Sequence, residues 1–126
     1  MLLNVVVIPV LVVDDMDDMR TLVRFVVELA NEGLQMAGEA SSGMEALDVV
    51  DELDPAVIVL DELMPGLRGL ETAERILARR PGQPIILFSA YLDEDMQEAA
   101  LRLGIKTCIS KSDYLQLPDA IRAAAA

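Results

Sequence analysis

Residues 56–66 read AVIVLDELMPG, an apolar run rich in β-branched side chains that leads through Asp61 into a turn. Short β-branched runs that end at Pro and Gly are typical of buried strands, so residues 56–61 are predicted to form one. Pro65 and Gly66 then begin a loop. The segment therefore places a carboxylate at the end of a buried strand, and other strand ends in the chain also carry polar groups.

Strand-like and helix-like patterns alternate along the whole chain. Apolar runs predict strands at residues 10–13, 34–40, 56–61, 84–89 and 105–110. Apolar residues at helical spacing predict helices at residues 16–32, 42–53, 70–80, 96–103 and from Pro118 onward. Strands that alternate with helices in this way predict one α/β domain over residues 1–126, with a parallel sheet covered on both faces.

Several residues predict where these elements begin and end. Gly33 is suited to end the first helix, and residues 42–45 (SGME) have the spacing of a capping box. Pro9 cannot donate to a strand ladder, so the first strand is expected to begin at Val10. Residues 1–9 are left as an apolar N-terminal extension of open role, and crossing to a neighbouring molecule in a homodimer is one option for it.

Composition restricts the classes of function. The chain has 22 acids against 10 bases and a formal net charge of −12, which argues against direct nucleic-acid binding. The single cysteine, Cys108, cannot form an intramolecular disulfide, so a cytoplasmic location is expected. The longest near-continuous apolar run, residues 5–13, is shorter than the ~20 residues of a membrane span, so no membrane association is expected.

Polar side chains follow or end four of the predicted strands. Asp14 and Asp15 follow the first strand, Asp61 ends the third, Ser89 ends the fourth, and Lys111 follows the fifth. The carboxyl ends of parallel strands share one edge, where open α/β sheets bind ligands. Taken singly, each group has an ordinary explanation as a helix cap, a loop residue or a solvated charge.

Taken together, these groups predict a site for a divalent metal and a phosphoryl group. Neighbouring carboxylates repel one another in a cleft, so several of them at one edge need a cation. Mg²⁺ prefers hard oxygen ligands and keeps several of its waters. Lys111 supplies a positive charge for a phosphate oxygen, and Ser89 supplies a hydroxyl donor. One acid is then suited to act as a nucleophile toward phosphorus.

The chain resembles the receiver domains of bacterial two-component response regulators over residues 10–126. The motifs that carry the resemblance are Val12-Val13-Asp14-Asp15, Val59-Leu60-Asp61-Glu62-Leu63-Met64-Pro65-Gly66 with Gly69, Phe88-Ser89-Ala90, and Ser110-Lys111. The resemblance implies a flavodoxin-like (βα)5 fold with sheet order 2-1-3-4-5, which places the ends of strands one and three side by side.

The resemblance also assigns roles to the acids. Asp61 is implied to be the phosphoacceptor, with Mg²⁺ as the cofactor. Asp15 is implied to bind the metal directly, and Asp14 partly through water. Asp61 and the backbone carbonyl of Leu63 are implied to complete the protein ligands.

Two further roles and a set of partners follow from the same resemblance. Ser89 is implied to be the switching hydroxyl, and Lys111 is implied to contact the phosphoryl group. The donor is implied to be a phosphohistidine on a sensor histidine kinase or a phosphotransfer protein. An effector or an output domain would receive the signal. Such a chain is a switch with weak self-dephosphorylation and is not an enzyme in the usual sense.

Two departures from the family pattern leave alternatives open. Cys108 stands where the family usually has Tyr or Phe. Ser112 follows Lys111 where the family usually has a cis proline, so a trans bond is expected here. One alternative is a pseudo-receiver, which serves as an interaction module without phosphorylation. Another is an aspartyl-phosphate hydrolase, a class that usually has a second Asp where this chain has Leu63.

Overall fold

The computed structural model describes residues 6–30 and 32–126. The strands are β1 (Ile8–Val13), β2 (Leu34–Ala40), β3 (Val57–Leu60), β4 (Ile85–Ser89) and β5 (Thr107–Ser110). The helices are α1 (Asp17–Ala30), α2 (Gly43–Leu53), α3 (Gly69–Arg79), α4 (Glu94–Leu103) and α5 (Leu117–Ala125). A short 3-10 helix, Lys111–Gln116, joins β5 to α5.

The five strands form one parallel sheet in the order β2-β1-β3-β4-β5, as predicted. The central strands β1 and β3 pair from Val10 with Val57 to Val13 with Leu60. Because both strands stop at the same level, the residues that follow them leave the sheet side by side. The topology therefore brings Asp14 and Asp61 together.

Helices cover both faces of the sheet, which explains why its central strands are apolar without alternation. Every residue of β3 and β4 is buried, and so are the last four residues of β1. One face of the sheet packs in a cluster that includes Leu11, Val13, Ile58, Leu60 and Leu87. The other face packs in a cluster that includes Val10, Val12, Val57, Val59 and Phe88.

Helix ends follow the sequence signals with one correction. Ser42 is the N-cap of α2, and its hydroxyl accepts the N–H of Glu45 at 3.1 Å. In a capping box, the Glu45 carboxylate would in turn accept the backbone N–H of Ser42. Here it accepts from the Ser41 hydroxyl at 3.1 Å instead. Gly104 ends α4 with a left-handed φ of 99°, and Gly33 follows α1 with a φ of 89°.

The prediction that the first strand begins at Val10 is wrong. β1 begins at Ile8, whose N–H donates to the carbonyl of Gly33 at 2.8 Å. The carbonyl of Pro9 accepts from Ala56 at 2.8 Å, and residue pairing with β3 starts one residue later. Pro9 therefore lies just before the start of the β1–β3 pairing. The missing N–H of proline is tolerated at such a position. The part of the N-terminal extension formed by residues 1–5 lies outside the described residues.

The strand before the last helix is shorter than predicted, since β5 begins at Thr107. The 3-10 helix after it was not predicted. It starts where the Ser110 hydroxyl accepts the N–H of Ser112 at 3.4 Å. Pro118 lies in the first turn of α5, as expected. Within the described part of the chain, no helix combines the length and apolar character that a membrane span requires.

Candidate metal and phosphoryl site

Asp61 lies at the end of β3, buried at the centre of the carboxyl edge of the sheet. Its backbone N–H donates to the carbonyl of Val13 at 2.9 Å, which continues the β1–β3 pairing by one step. Its carboxylate accepts the N–H of Leu63 at 3.4 Å, and the residue is only 4% exposed. The strand therefore holds the Asp61 backbone while the carboxylate faces the site.

Asp14 and Asp15 reach the same place from the end of β1. Asp14 is buried, and its Oδ1 accepts the N–H of Met16 at 2.9 Å. Asp15 is exposed. One carboxylate oxygen from each of Asp14, Asp15 and Asp61 lies within 4.8 Å of the others. The three acids that sequence analysis selected as metal ligands therefore converge.

Lys111 lies at the end of β5 and reaches across the sheet edge to two of these acids. Its Nζ is 2.8 Å from Oδ2 of Asp14 and 3.4 Å from Oδ2 of Asp61. The lysine side chain is 12% exposed, and both carboxylate side chains are 3% exposed. One ammonium cannot neutralise three carboxylates, so the cluster keeps an excess of negative charge and fits a divalent cation with oxygen ligands.

The environment makes ionisation of Asp61 unfavourable. Burial raises the pKa of its carboxyl above 3.8, and the neighbouring charge of Asp14 raises it further. The ammonium of Lys111 and the N–H of Leu63 lower this pKa, but by less. An added cation would favour the carboxylate again.

Ser89 ends β4, the strand beside β3, and it is fully buried. In the part of the chain that the structure describes, its Oγ is the one buried side-chain polar atom without a hydrogen-bond partner. A buried hydroxyl without a partner is costly, by roughly 1–3 kcal/mol. Such a group at a ligand-binding edge is available to an incoming acceptor such as a phosphoryl oxygen.

The remaining predicted ligand, the carbonyl of Leu63, belongs to the loop between β3 and α3. The Leu63 side chain is 47% exposed, and its N–H is already used by Asp61. Its role as a ligand remains a prediction.

The two departures from the family pattern are local. The bond between Lys111 and Ser112 is trans, as expected, because the chain contains no cis peptide among the described residues. Cys108 is half-buried against the core cluster that includes Leu87. Burial raises the pKa of its thiol. Beside it lies an open cavity of about 230 Å³, whose lining includes Leu101 and Ile105.

Two charged residues at the site were missed by sequence analysis. Arg20 donates to the backbone carbonyl of Asp14 at 2.7 Å and forms an ion pair with Asp17. Glu62 is buried directly after Asp61. Arg20 and Asp17 are three residues apart on a predicted helix, which is a weak signal. A charged residue between the apolar Leu60 and Leu63-Met64 is a stronger signal, and it could have drawn attention to Glu62.

The sheet order 2-1-3-4-5 is that of the flavodoxin-like fold, and the acid cluster and Lys111 lie at its carboxyl edge, where such folds bind ligands. The family model described as "Response regulator receiver domain" matches residues 10–122. The chain therefore belongs to the receiver domain family of response regulators, and the resemblance found in its motifs is confirmed.

Individual relatives agree with this assignment. The chain is 35% identical over 101 residues to the chemotaxis protein CheY of Listeria monocytogenes, covering 80% of this chain and 83% of that protein. It is 36% identical over 124 residues to a protein-glutamate methylesterase/protein-glutamine glutaminase of Agrobacterium fabrum. That match covers 92% of this chain but only 35% of the longer protein.

A solved structure shows the same fold. The response regulator domain of Thermotoga maritima CheB superposes with a TM-score of 0.87 at 30% identity, covering 94% of this chain and 96% of that one. The chain thus matches nearly the full length of that response regulator domain, but it spans only about a third of the length of the methylesterase relative.

The raised pKa of Asp61 predicts how stability depends on pH in metal-free protein. The folded state holds the Asp61 proton more tightly than the unfolded state does. The stability that Asp61 contributes is therefore fully present below its unfolded pKa of 3.8 and is lost as pH rises through its folded pKa. Asp61→Asn removes this loss, so we expect the variant to be more stable than the parent at neutral pH. The gain should vanish below pH 3.8.

Urea unfolding in EDTA across that pH range measures the difference. Asp48→Asn serves as the control, because Asp48 is an exposed acid on α2. We expect it to change stability little at any pH. A gain in stability for Asp61→Asn that stays constant with pH would contradict the raised pKa of Asp61.

Proposed function

We propose that this chain accepts a phosphoryl group on Asp61 in a Mg²⁺-dependent reaction and thereby switches a protein-interaction surface. The observation that supports this most is the convergence of Asp14, Asp15 and Asp61 within 4.8 Å beside the Lys111 ammonium. Among the acids, Asp61 is the best nucleophile candidate, because it lies at the end of the central strand β3 and directly before the receiver-family turn Met64-Pro65-Gly66. The proposal applies to a receiver domain spanning residues 1–126.

The chemistry is a phosphoryl transfer between two protein side chains. An Asp61 carboxylate oxygen attacks the phosphorus of a phosphohistidine, the P–N bond breaks, and the imidazole leaves with the bonding electron pair. The product is an acyl phosphate on Asp61 and a free histidine. Lys111 stabilises the charge on the transferred oxygens. When bound by Asp14, Asp15, Asp61 and the Leu63 carbonyl, Mg²⁺ supplies a further positive charge at those oxygens.

Ser89 is proposed to convert phosphorylation into a change of shape. Its unpartnered hydroxyl gains an acceptor once Asp61 carries phosphate, so the phosphorylated state favours a position in which this bond forms. Ser89 ends β4, and the loop from 90 to 93 connects it to α4. A shift at Ser89 is therefore transmitted toward the surface formed by α4, β5 and α5.

The partners follow from this role. We propose a sensor histidine kinase or a phosphotransfer protein as the donor, and an effector or an output domain as the recipient of the signal. The acidic charge of −12 disfavours direct nucleic-acid contact by this domain. We also propose a cytoplasmic location and a role as a switch that turns over no substrate of its own. A homodimer in which the N-terminal extension crosses to the neighbouring molecule is proposed as well.

A pseudo-receiver, which works as an interaction module without phosphorylation, is favoured by one observation. Cys108 replaces the aromatic residue of the family, so one element of the usual switch is missing. The acid cluster and Lys111 are nonetheless assembled, which a pseudo-receiver does not need. Phosphorylation of the purified chain separates the two functions.

We expect acetyl phosphate with Mg²⁺ to add one phosphoryl group to the parent. Asp61→Ala should abolish the addition, because Asp61 is the acid that precedes the Met64-Pro65-Gly66 turn of the receiver motif. Intact-mass spectrometry measures the product. Asp48→Ala is the control, an exposed acid far from the cluster in sequence, and should behave as the parent. Normal phosphorylation of Asp61→Ala would contradict the assignment.

We expect Asp15→Asn to weaken Mg²⁺ binding by at least about tenfold, since loss of even an outer-shell partner commonly has that effect. Phosphorylation at limiting Mg²⁺ should slow accordingly. Titration followed by backbone amide signals measures the affinity. Asp18→Asn removes an exposed acid on the first turn of α1 and provides the control. Equal affinities in Asp15→Asn and the parent would remove Asp15 from the ligand set.

The phosphorylated form should be long-lived, because bulky side chains flank the path of the attacking water. Leu63 and Tyr91 are 47% and 62% exposed at the rim of the site, and neither can orient a water as a carboxylate or amide does. The double variant Leu63→Asn/Tyr91→Glu should lose phosphate roughly tenfold faster. Leu101→Asn, an exposed leucine on α4, is the control. Unchanged or slower decay in the double variant would contradict this gate.

A further inference from the structure

Glu62 is a buried carboxylate directly after the proposed phosphoacceptor, and the proposed reaction does not use it. The residue is 5% exposed. Its Oε1 accepts the N–H of Leu70 at 2.7 Å, and its Oε2 accepts from Nε of Arg68 at 2.8 Å. Both partners lie at the start of α3, so the side chain joins the end of β3 to the first turn of that helix.

The backbone repeats this connection. The N–H of Gly69 donates to the carbonyl of Glu62 at 3.1 Å. A side chain at Gly69 would collide with the carbonyl of Asp61, so the first residue of α3 packs directly on the peptide between Asp61 and Glu62. The loop from 61 to 69 is therefore closed at its base, and Leu63 lies near that base, where its N–H donates to Asp61 at 3.4 Å.

The charge of Glu62 is more than a helix cap requires. A neutral side-chain oxygen is enough to accept the N–H of Leu70. A buried carboxylate costs considerable desolvation energy unless it is paired, and here it has both a guanidinium and a helix N-terminus. The contacts of Glu62 with Arg68 and Leu70 therefore resist movement of the loop relative to α3. Glu62 is covalently joined to Asp61, so these contacts also restrain Asp61.

A rigid loop matters because the acids of the site repel one another. Without an ion, the carboxylates of Asp14 and Asp61, which have oxygens within 4.8 Å of each other, repel one another, and a loose loop would relieve this repulsion by letting Asp61 and Leu63 move away. A ligand set that has moved must be reassembled when the metal binds, which lowers its affinity. A ligand set held in place avoids that loss.

We propose that Glu62 is a positioning residue, which with Arg68 holds the loop so that Asp61 and the Leu63 carbonyl are in place before Mg²⁺ binds. This inference rests on the proposed function, since it concerns the same metal site. Glu62 contacts neither the metal nor the phosphoryl group, so its effect should appear in Mg²⁺ affinity and not in the rate at saturating Mg²⁺.

The test uses Glu62→Gln and Arg68→Met in the full chain, titrated with Mg²⁺ and followed by the amide signals of Asp61 and Leu63. We expect each variant to bind Mg²⁺ about tenfold more weakly, at the lower end of the effect of losing an outer-shell partner. The rate of phosphorylation by acetyl phosphate at saturating Mg²⁺ should stay within about twofold of the parent, because uniform binding is lost without loss of transition-state contacts.

A double variant and a control separate positioning from general destabilisation. Glu62→Gln/Arg68→Met should be no weaker in Mg²⁺ binding than the weaker single variant, because both changes break one interaction. Thr72→Val is the control, since the buried Thr72 hydroxyl donates to the Arg68 carbonyl at 2.8 Å in the same turn of α3. It removes a hydrogen bond there without touching Glu62, and Mg²⁺ affinity should be unchanged.

The outcomes are distinct. The positioning role is overturned if Thr72→Val weakens Mg²⁺ binding as much as Glu62→Gln does. It is also overturned if both Glu62→Gln and Arg68→Met bind Mg²⁺ like the parent. Either result leaves the proposed function standing. Should Glu62→Gln fail to fold, the half-exposed Arg68 still provides the test through Arg68→Met. A parent that neither binds Mg²⁺ at Asp61 nor becomes phosphorylated overturns the proposed function and this inference together.

Discussion

Electrostatic repulsion among three carboxylates is the constraint on which the site depends. The pairing of β1 with β3 sets Asp14 and Asp61 side by side, and Asp15 follows directly. Burial removes the water that would screen Asp14 and Asp61 from each other, so the pKa of Asp61 rises. Lys111 offsets part of this cost by contacting two of the acids. The remaining negative charge makes the site favourable for a cation.

The sheet supplies the stability and rigidity that this unfavourable cluster requires. Its central strands are buried on both faces by two separate aliphatic clusters, and hydrophobic burial is the dominant favourable term in folding. Close packing also prevents the strand ends from separating to relieve the repulsion. The acids at the ends of β1 and β3 are thus held by the backbone, whereas Leu63 and Tyr91 lie on loops at the exposed rim.

Sequence alone predicted the helices and strands, because they depend on the hydrophobic pattern. It also predicted the site residues that stand directly at the ends of strands. The five strands, their parallel arrangement and the convergence of Asp14, Asp15, Asp61 and Lys111 are of this kind. Pro9 misled the prediction because its tolerance depends on where pairing with β3 begins, which is a tertiary fact. The Glu62–Arg68 pair was missed for a related reason, since a loop that folds back on itself leaves no periodic signal.

In the proposed function, the unpartnered hydroxyl of Ser89 connects the rigid part of the site to a two-state response. A ligand or modification shifts an equilibrium only by its difference in free energy between two states. In the form described here, Ser89 carries the cost of a buried donor without an acceptor, and a phosphoryl group on Asp61 offers one. Under that proposal, phosphorylation would favour any arrangement of β4 and α4 in which that bond forms. A bulky ring at position 108 is not needed for this step, because the difference in free energy arises at Ser89 itself.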